Sequence, residues 1–460
     1  MLNSLFLSLI PFQIYSFCIF FLERGIKRFR FSSILLLDFI GLHLVSFFSS
    51  SFVEEEHQTV FYFVSTFLLV SIIKFLSTLS RRDTHFLERD IASSNWGNPT
   101  LILGGKVVMV LAVIRGFRLW NQSGVKWIEL RDLSDIIFSE TFPPIPRIAL
   151  VILSLGVISY IAFCLELKGL NVVLRAVLAT AVFFAGLVPT VGFPKAFARA
   201  LFFLSVVLTG GGFLFNFSKK GHSVSFPFLR IALLICVLMV NTAKKIPMVT
   251  VVYVLSFFFF RFNLSPINTL FSSSFEKTVF IYYMSYLTFF AFGNTNTVAT
   301  LEFGGVYTVL DNGASLVEMG FLTFIMVFTG PLLVLLCFHE HEKKVERGDE
   351  EVEKEVKVDG KDAEEEKERE ASGKSSNRTN SDRRSHSTTG TMANAWINAI
   401  ITPIAIRLLT LSFSCLTLAF FRSHLFVWSV FAPKFLYEVL HMFFILFSSL
   451  LFGLLSDRRR

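Results

Sequence analysis

With 460 residues, 53% apolar side chains, 57 phenylalanines and a mean hydropathy of +0.61, the chain is too apolar for a water-soluble globular domain. Charged residues make up 17%, against about 25% in a typical soluble protein. The net charge of +8 is not gathered on a folded basic domain, which leaves no basis for nucleic-acid binding.

Apolar runs of about 17–25 residues recur from end to end and predict an all-α fold, a polytopic transmembrane bundle of about 13 spans. Leu2–Leu22 has no basic n-region and no A-x-A site, so it reads as a first span rather than a cleaved signal. The basic connector Glu23–Phe31 follows. Span 2 (Ser33–Val53) carries Asp38 and His43 and runs into Glu54, Glu55, Glu56 and His57. Span 3 (Thr59–Leu79) ends at Arg81 and Arg82. Span 4 (Leu101–Trp120) contains Lys106, Arg115 and Arg118, which must snorkel or face protein. After the polar segment Asn121–Pro146 come span 5 (Ile148–Leu165), span 6 (Leu170–Val191), span 7 (Ala196–Phe217), span 8 (Phe228–Ala243) and span 9 (Pro247–Phe262). Span 10 (Lys277–Ala291) and span 11 (Leu316–Phe338) flank Phe292–Ala314, a stretch rich in Asn, Thr and Gly. Irregular backbone between two spans is viable only where protein or a polar cavity covers it, which makes this stretch a candidate cavity mouth. It reads equally as a plain surface connector.

Residues 339–392 form a charged tract. His339–Gly390 holds sixteen acidic and twelve basic residues and almost no aromatics, and the rest of the chain is left at +12. Such a composition cannot bury a core and predicts a disordered loop. Spans 12 (Trp396–Phe421) and 13 (Phe435–Leu455) follow. The chain thus divides into residues 1–338 with spans 1–11, the loop at 339–392, and residues 393–460 with spans 12–13.

Loop charges set the orientation: the connector after span 1 is cytoplasmic, so the N-terminus is lumenal and the C-terminus cytoplasmic. Glu54–His57, Asn121–Pro146, Phe292–Ala314 and Arg422–Lys434 then share the lumenal side. Lys244 and Lys245 break the pattern by falling there too. Of the sequons, only Asn121-Gln-Ser is lumenal, which makes Asn121 a glycosylation candidate. The five cysteines all sit inside apolar runs and outline neither a disulfide framework nor a zinc site.

Three lumen-side groups could touch a ligand. Glu54, Glu55, Glu56 and His57 could hold a divalent cation or an amine headgroup, or simply mark the end of a helix. Asn294, Asn296, Glu302 and Asp311 are the polar side chains of the stretch between spans 10 and 11. His424, Lys434, Glu438 and His441 form the third group. Lys434, Glu438 and His441, at i, i+4 and i+7, line one face of span 13. Ionisable residues within a span point to function, although mutual pairing explains them as well. No G-x-S-x-G, H-E-x-x-H or phosphate-cradling glycine loop is present, so the chain contains no self-sufficient catalytic site.

Ser49–Phe63 (SSSFVEEEHQTVFYF), Leu119–Trp127 (LWNQSGVKW), Phe292–Asp311 (FGNTNTVATLEFGGVYTVLD) and Arg422–His441 (RSHLFVWSVFAPKFLYEVLH) together resemble the C-terminal membrane region of the type 2 GPI ethanolamine phosphate transferases, the PIG-G family. The resemblance implies residence in the endoplasmic reticulum membrane. It implies transfer of phosphoethanolamine from phosphatidylethanolamine to the second mannose of a GPI precursor, and a small stabilising membrane subunit of the PIG-F kind. In that family the chemistry belongs to a lumenal, alkaline-phosphatase-like domain with two zinc ions. This chain matches only the membrane region, so no catalytic or metal-binding residue is assigned and no cofactor is expected in it. Whether it acts as an enzyme stays open. A polytopic lipid transporter or scramblase, or a non-catalytic membrane subunit, are the alternatives.

Overall fold

The computed structural model describes residues 40–81, 99–121, 132–167, 170–218, 225–261, 274–295, 304–310, 315–335, 402–425 and 427–456. Span 1, the first residues of spans 2 and 12, the whole tract at 339–392, and Asn296, Glu302 and Asp311 lie outside them. Every described element is helical: α1 (40–46), α2 (Ser50–Glu54), α3 (Glu56–Arg81), α4 (Pro99–Trp120), α5 (Leu133–Ile137), α6 (Pro144–Ile161, continued by a π turn at Ala162–Glu166), α7 (Val172–Val191) and α8 (Lys195–Ser218). Then come α9 (Ser225–Val240), a 3-10 turn (Ala243–Lys245), α10 (Ile246–Arg261), α11 (Ser274–Ala291), the single turn α12 (Gly304–Tyr307), α13 (Leu316–Val327), α14 (Thr329–Leu335), α15 (Thr402–Phe420), a π turn (Val427–Phe431) and α16 (Ala432–Ser456).

Among the described residues, four helices are long and apolar enough to cross a membrane: Pro144–Leu165, Val172–Val191, Thr402–Phe420 and Val427–Ser448. A fifth is added if the bent pair α13–α14 counts as one span. The molecule is therefore a helical membrane protein. Local chemistry sets several ends. Asn171 caps α7, its side-chain oxygen accepting from the Val173 N–H at 3.1 Å, and Gly192 closes that helix in the left-handed region at φ 69°. Ser315 and Glu318 form a reciprocal capping box at the start of α13.

α11 lies at the centre. Its residues Val279 to Phe290 are buried almost without exception, and it packs on α3 and α4 on one side. On another it meets α16, with the Phe289 and Tyr437 rings 5.9 Å apart. α8, α9 and α7 pack consecutively, and α9 also meets α13. The outer faces of α6, α7 and α8 expose Ile148, Leu153, Val173 and Val207, as lipid-facing surfaces do.

One departure from the sequence reading has a local cause. Span 11 reads as one continuous helix, yet the chain bends by 71° between α13 and α14. Pro331 has no N–H to offer the Val327 carbonyl four residues earlier, so the helix ladder fails there. The polar segment Asn121–Pro146 contains α5, whose Asp135 pairs with Lys244 at 3.6 Å. That contact gives Lys244, the exception to the charge rule, an acidic neighbour within a connector that the rule assigns to the same side.

Candidate functional site

The chain kinks where α2 gives way to α3. Glu54 ends α2, exposed; Glu55 occupies the turn, half-buried; Glu56 opens α3 and points inward. A carboxylate in a first helical turn also suits the positive end of the helix dipole. On α16, Pro433 breaks the ladder to Ser429, and the turn before it winds wide as a π turn, which delivers Lys434 and Glu438 to the interior. The acidic triplet therefore contributes one residue to the centre of the protein, and the face of span 13 contributes two.

Glu56 and Lys434 form an ion pair, and Lys434 also reaches Glu438 Oε1 at 2.7 Å. Arg407 on α15 donates from Nη1 to both oxygens of Glu438, at 2.9 and 2.8 Å, and the Thr410 hydroxyl donates to Oε2 at 2.6 Å. Lys434 Nζ donates to the Tyr286 hydroxyl at 2.6 Å. His43 on α1 contacts Glu56 Oε1 through Nε2 at 2.9 Å and the Tyr283 hydroxyl through Nδ1 at 3.3 Å. With the Tyr283 O–H donating to Nδ1 and Nε2–H donating to Glu56, both ring nitrogens are satisfied by a neutral imidazole. The Arg407 guanidinium lies over the Tyr286 ring at 4.3 Å and the Tyr282 ring at 5.0 Å, while Lys434 sits 5.0 Å from the Phe47 ring.

None of the four charged groups is more than 2% exposed. Two carboxylates face two cations, so the cluster is neutral overall, which is the condition for keeping charge in a low-dielectric interior. It also ties together α1, α3, α11, α15 and α16. His441 shares the α16 face but not the ion pairs. Its Nδ1 donates to the Tyr437 carbonyl at 2.8 Å, and its ring stands edge-on to Phe289 and Phe328, 4.6 and 5.0 Å away. His424 is exposed in the turn before the π turn, its ring 6.0 Å from that of Phe421.

Asn294 meets the helix break. Its Nδ2 donates to the Val327 carbonyl at 3.0 Å and to the Phe289 carbonyl at 3.0 Å. The first of these is the acceptor that Pro331 leaves unused, so a side chain from the Asn/Thr/Gly stretch completes the ladder of the next helix. Thr329 and Asn241 brace the same bend through a 2.9 Å bond. Gly293, at φ 84°, turns the chain toward Asn294. The Asn121 amide, oriented to satisfy both its groups, accepts from Gly293 N–H at 3.1 Å and donates to Asp132 Oδ2 at 3.0 Å. Further along, α12 lies against the end of α9, with Gly305 so close to the Val240 carbonyl that no Cβ would fit.

His57 leaves the ionic cluster and lines a narrow cleft, open on one side, between α3, α4 and α11. Arg118, Asn121 and the rings of Phe61, Phe117 and Phe290 share its walls. Among the described residues, no group of three or more His, Cys, Asp or Glu side chains could hold a metal ion, so no metal chemistry is assigned to these residues.

Of the candidates drawn from the sequence, the structure joins Glu56, Lys434 and Glu438. It places His57 and Asn121 on a neighbouring cleft and gives Asn294 to a helix break. Arg407, His43, Tyr283, Tyr286 and Thr410 complete the cluster and are absent from the candidate groups. Arg407 was detectable, being a lone cation within the apolar run of span 12.

A bundle of this kind, with a neutral ionic cluster at its centre and polar connectors gathered near one end, defines a polytopic helical membrane protein. The chain belongs to the family described as the GPI ethanolamine phosphate transferase membrane region, matching it over residues 3–198 and 194–455. It is 24% identical over 407 residues to GPI ethanolamine phosphate transferase 2 of Schizosaccharomyces pombe, covering 87% of this chain and 40% of that protein. It is also 24% identical to the Aspergillus oryzae protein of the same name over 423 residues, with the same coverage. The human GPI ethanolamine phosphate transferase 2, catalytic subunit, is 24% identical over 473 residues, covering 90% of this chain and 42% of that protein. The chain thus spans about two fifths of the length of the curated relatives it matches. No solved structure matches it.

Proposed function

We propose that the chain is the lipid-holding membrane half of a type 2 GPI ethanolamine phosphate transferase in GPI-anchor biosynthesis. It would bring phosphatidylethanolamine and the GPI precursor together beside a lumenal phosphatase-like domain carrying two zinc ions, for transfer to the second mannose. The single observation behind this reading is the family match over almost the whole chain. The gain from such a scaffold is proximity, since two lipids diffusing in a bilayer are made neighbours.

The finer architecture belongs to the same proposal: about 13 spans, a disordered cytoplasmic loop at 339–392, a lumenal N-terminus, residence in the endoplasmic reticulum and a PIG-F-like stabilising subunit. Several contacts agree with the segments they join sharing one side of the membrane. Asn121 with Gly293, Asp135 with Lys244, and Glu56 with Lys434 each join segments that the loop charges put on the lumenal side. The test is rescue of transferase-null cells. Phosphoethanolamine on the second mannose returns only when the phosphatase-like domain is supplied with the chain; return with the chain alone refutes the division of labour.

The bend between α13 and α14 favours a second reading, a lipid transporter or scramblase, because broken helices line substrate paths in transporters. Lipid flux across vesicles containing the chain, with no change in GPI structure, would support it.

A further inference from the structure

The structure assigns a binding role to the cleft between α3, α4 and α11: we propose that it seats a phosphate-bearing anion, Arg118 supplying the charge and His57 Nε2 a hydrogen bond. This deepens the lipid-handling reading and rests on it only for the choice of probe.

His57 is 8% exposed, and its Nε2 has no hydrogen-bond partner although the ring lines the cleft. A buried polar atom left open costs free energy unless a ligand fills the place. Arg118, on the same wall, has one weak polar contact, Nη2 to Gln58 Oε1 at 3.4 Å, and otherwise leans on the rings of Phe61 and Tyr62 at 5.3 and 5.8 Å. Its guanidinium therefore has no carboxylate partner among the described residues. The neighbouring Glu56 does not change the sign of the site, because Lys434 and His43 already hold its carboxylate. The Asn121 amide is committed to Gly293 and Asp132.

An anion thus has one fixed cation and one free imidazole nitrogen to meet, and the planar fork of arginine suits phosphate oxygens. The surroundings favour a lipid as the source. Phe61, Phe117 and Phe290 make the walls apolar, and the adjoining outer faces of α3 and α4 expose Tyr62, Leu69, Met109 and Leu119, along which an acyl chain could lie. A soluble phosphomonoester would share the headgroup chemistry without using those faces.

The experiment is native mass spectrometry of the full chain, delipidated in detergent and titrated with phosphatidylethanolamine, with diacylglycerol, and with soluble phosphoethanolamine. The unmodified chain should retain phosphatidylethanolamine over diacylglycerol. Arg118→Gln should weaken that retention about tenfold, the scale of one lost charge-assisted bond. Arg118→Lys, which keeps the charge but not the fork, should fall between the unmodified chain and Arg118→Gln. Ala291→Leu, which fills the cleft without altering charge, should weaken it as Arg118→Gln does. If phosphoethanolamine alone binds and is lost in Arg118→Gln, the anion site stands and its ligand is soluble. Equal phosphatidylethanolamine retention by the unmodified chain, Arg118→Gln and Ala291→Leu overturns the proposal. Thermal unfolding of each variant verifies folding. The readout is binding, so a failed rescue in cells leaves this result unaffected, and the converse also holds.

Discussion

Lys434 joins two carboxylates, and its loss would leave a buried surplus of negative charge around Glu56 and Glu438. Breaking one side of such a pair costs about 3–5 kcal/mol, because the remaining charge cannot return to water. Lys434→Met should therefore lower the thermal unfolding midpoint sharply in detergent. Glu56→Gln combined with Lys434→Met removes one charge of each sign and leaves the Arg407–Glu438 pair intact. That double variant should be more stable than Lys434→Met alone. Additive losses would mean that the charges do not act as one cluster. Spacing on a helix was enough to put Lys434 and Glu438 on one face. It could not show that Glu56, and neither Glu54 nor Glu55, turns inward, because that depends on the kink between α2 and α3.

At the level of elements, the bend between α13 and α14 is held by a side chain from another segment. Removing it in Asn294→Ala strands the Val327 carbonyl, at a cost of about 1–3 kcal/mol. Pro331→Ala restores an N–H able to serve that same carbonyl, so Asn294→Ala should cost less in a Pro331→Ala background. A double-mutant cycle on unfolding midpoints reads the coupling, and a null coupling would dissociate the proline from the asparagine. Gly305→Ala should destabilise by about 1–3 kcal/mol, since the new methyl would collide with the Val240 carbonyl. The apolar run of span 11 announced a helix, but hydropathy carries no information about a break. Pro331 was the available sign, and its partner Asn294 lies 37 positions earlier in sequence, beyond any local pattern.

For the whole molecule, the sequence made helices and membrane residence legible because burial of backbone in lipid leaves few alternatives. The association of helices was not legible: the cluster draws on α1, α3, α11, α15 and α16, and no periodicity within one helix encodes contacts between such distant segments. Orientation can be measured directly. A cysteine at Glu54 should react with a membrane-impermeant maleimide only after the microsomal membrane is opened, whereas one at Val172, at the other end of the bundle, should react in sealed vesicles. The reverse pattern would invert the molecule and remove the lumenal setting of the cleft.

Glu56 and Lys434 are separated by 378 positions along the chain. At about 5–20 residues per second, roughly 20–75 s of translation pass between the two. For that interval the nascent carboxylate has entered the translocon without its counter-ion and must stay protonated, remain in the aqueous pore or be shielded by an insertion chaperone. Assembly therefore ends with α16, and ribosome-stalled chains lacking α15 and α16 should be held by quality-control factors that release the finished bundle.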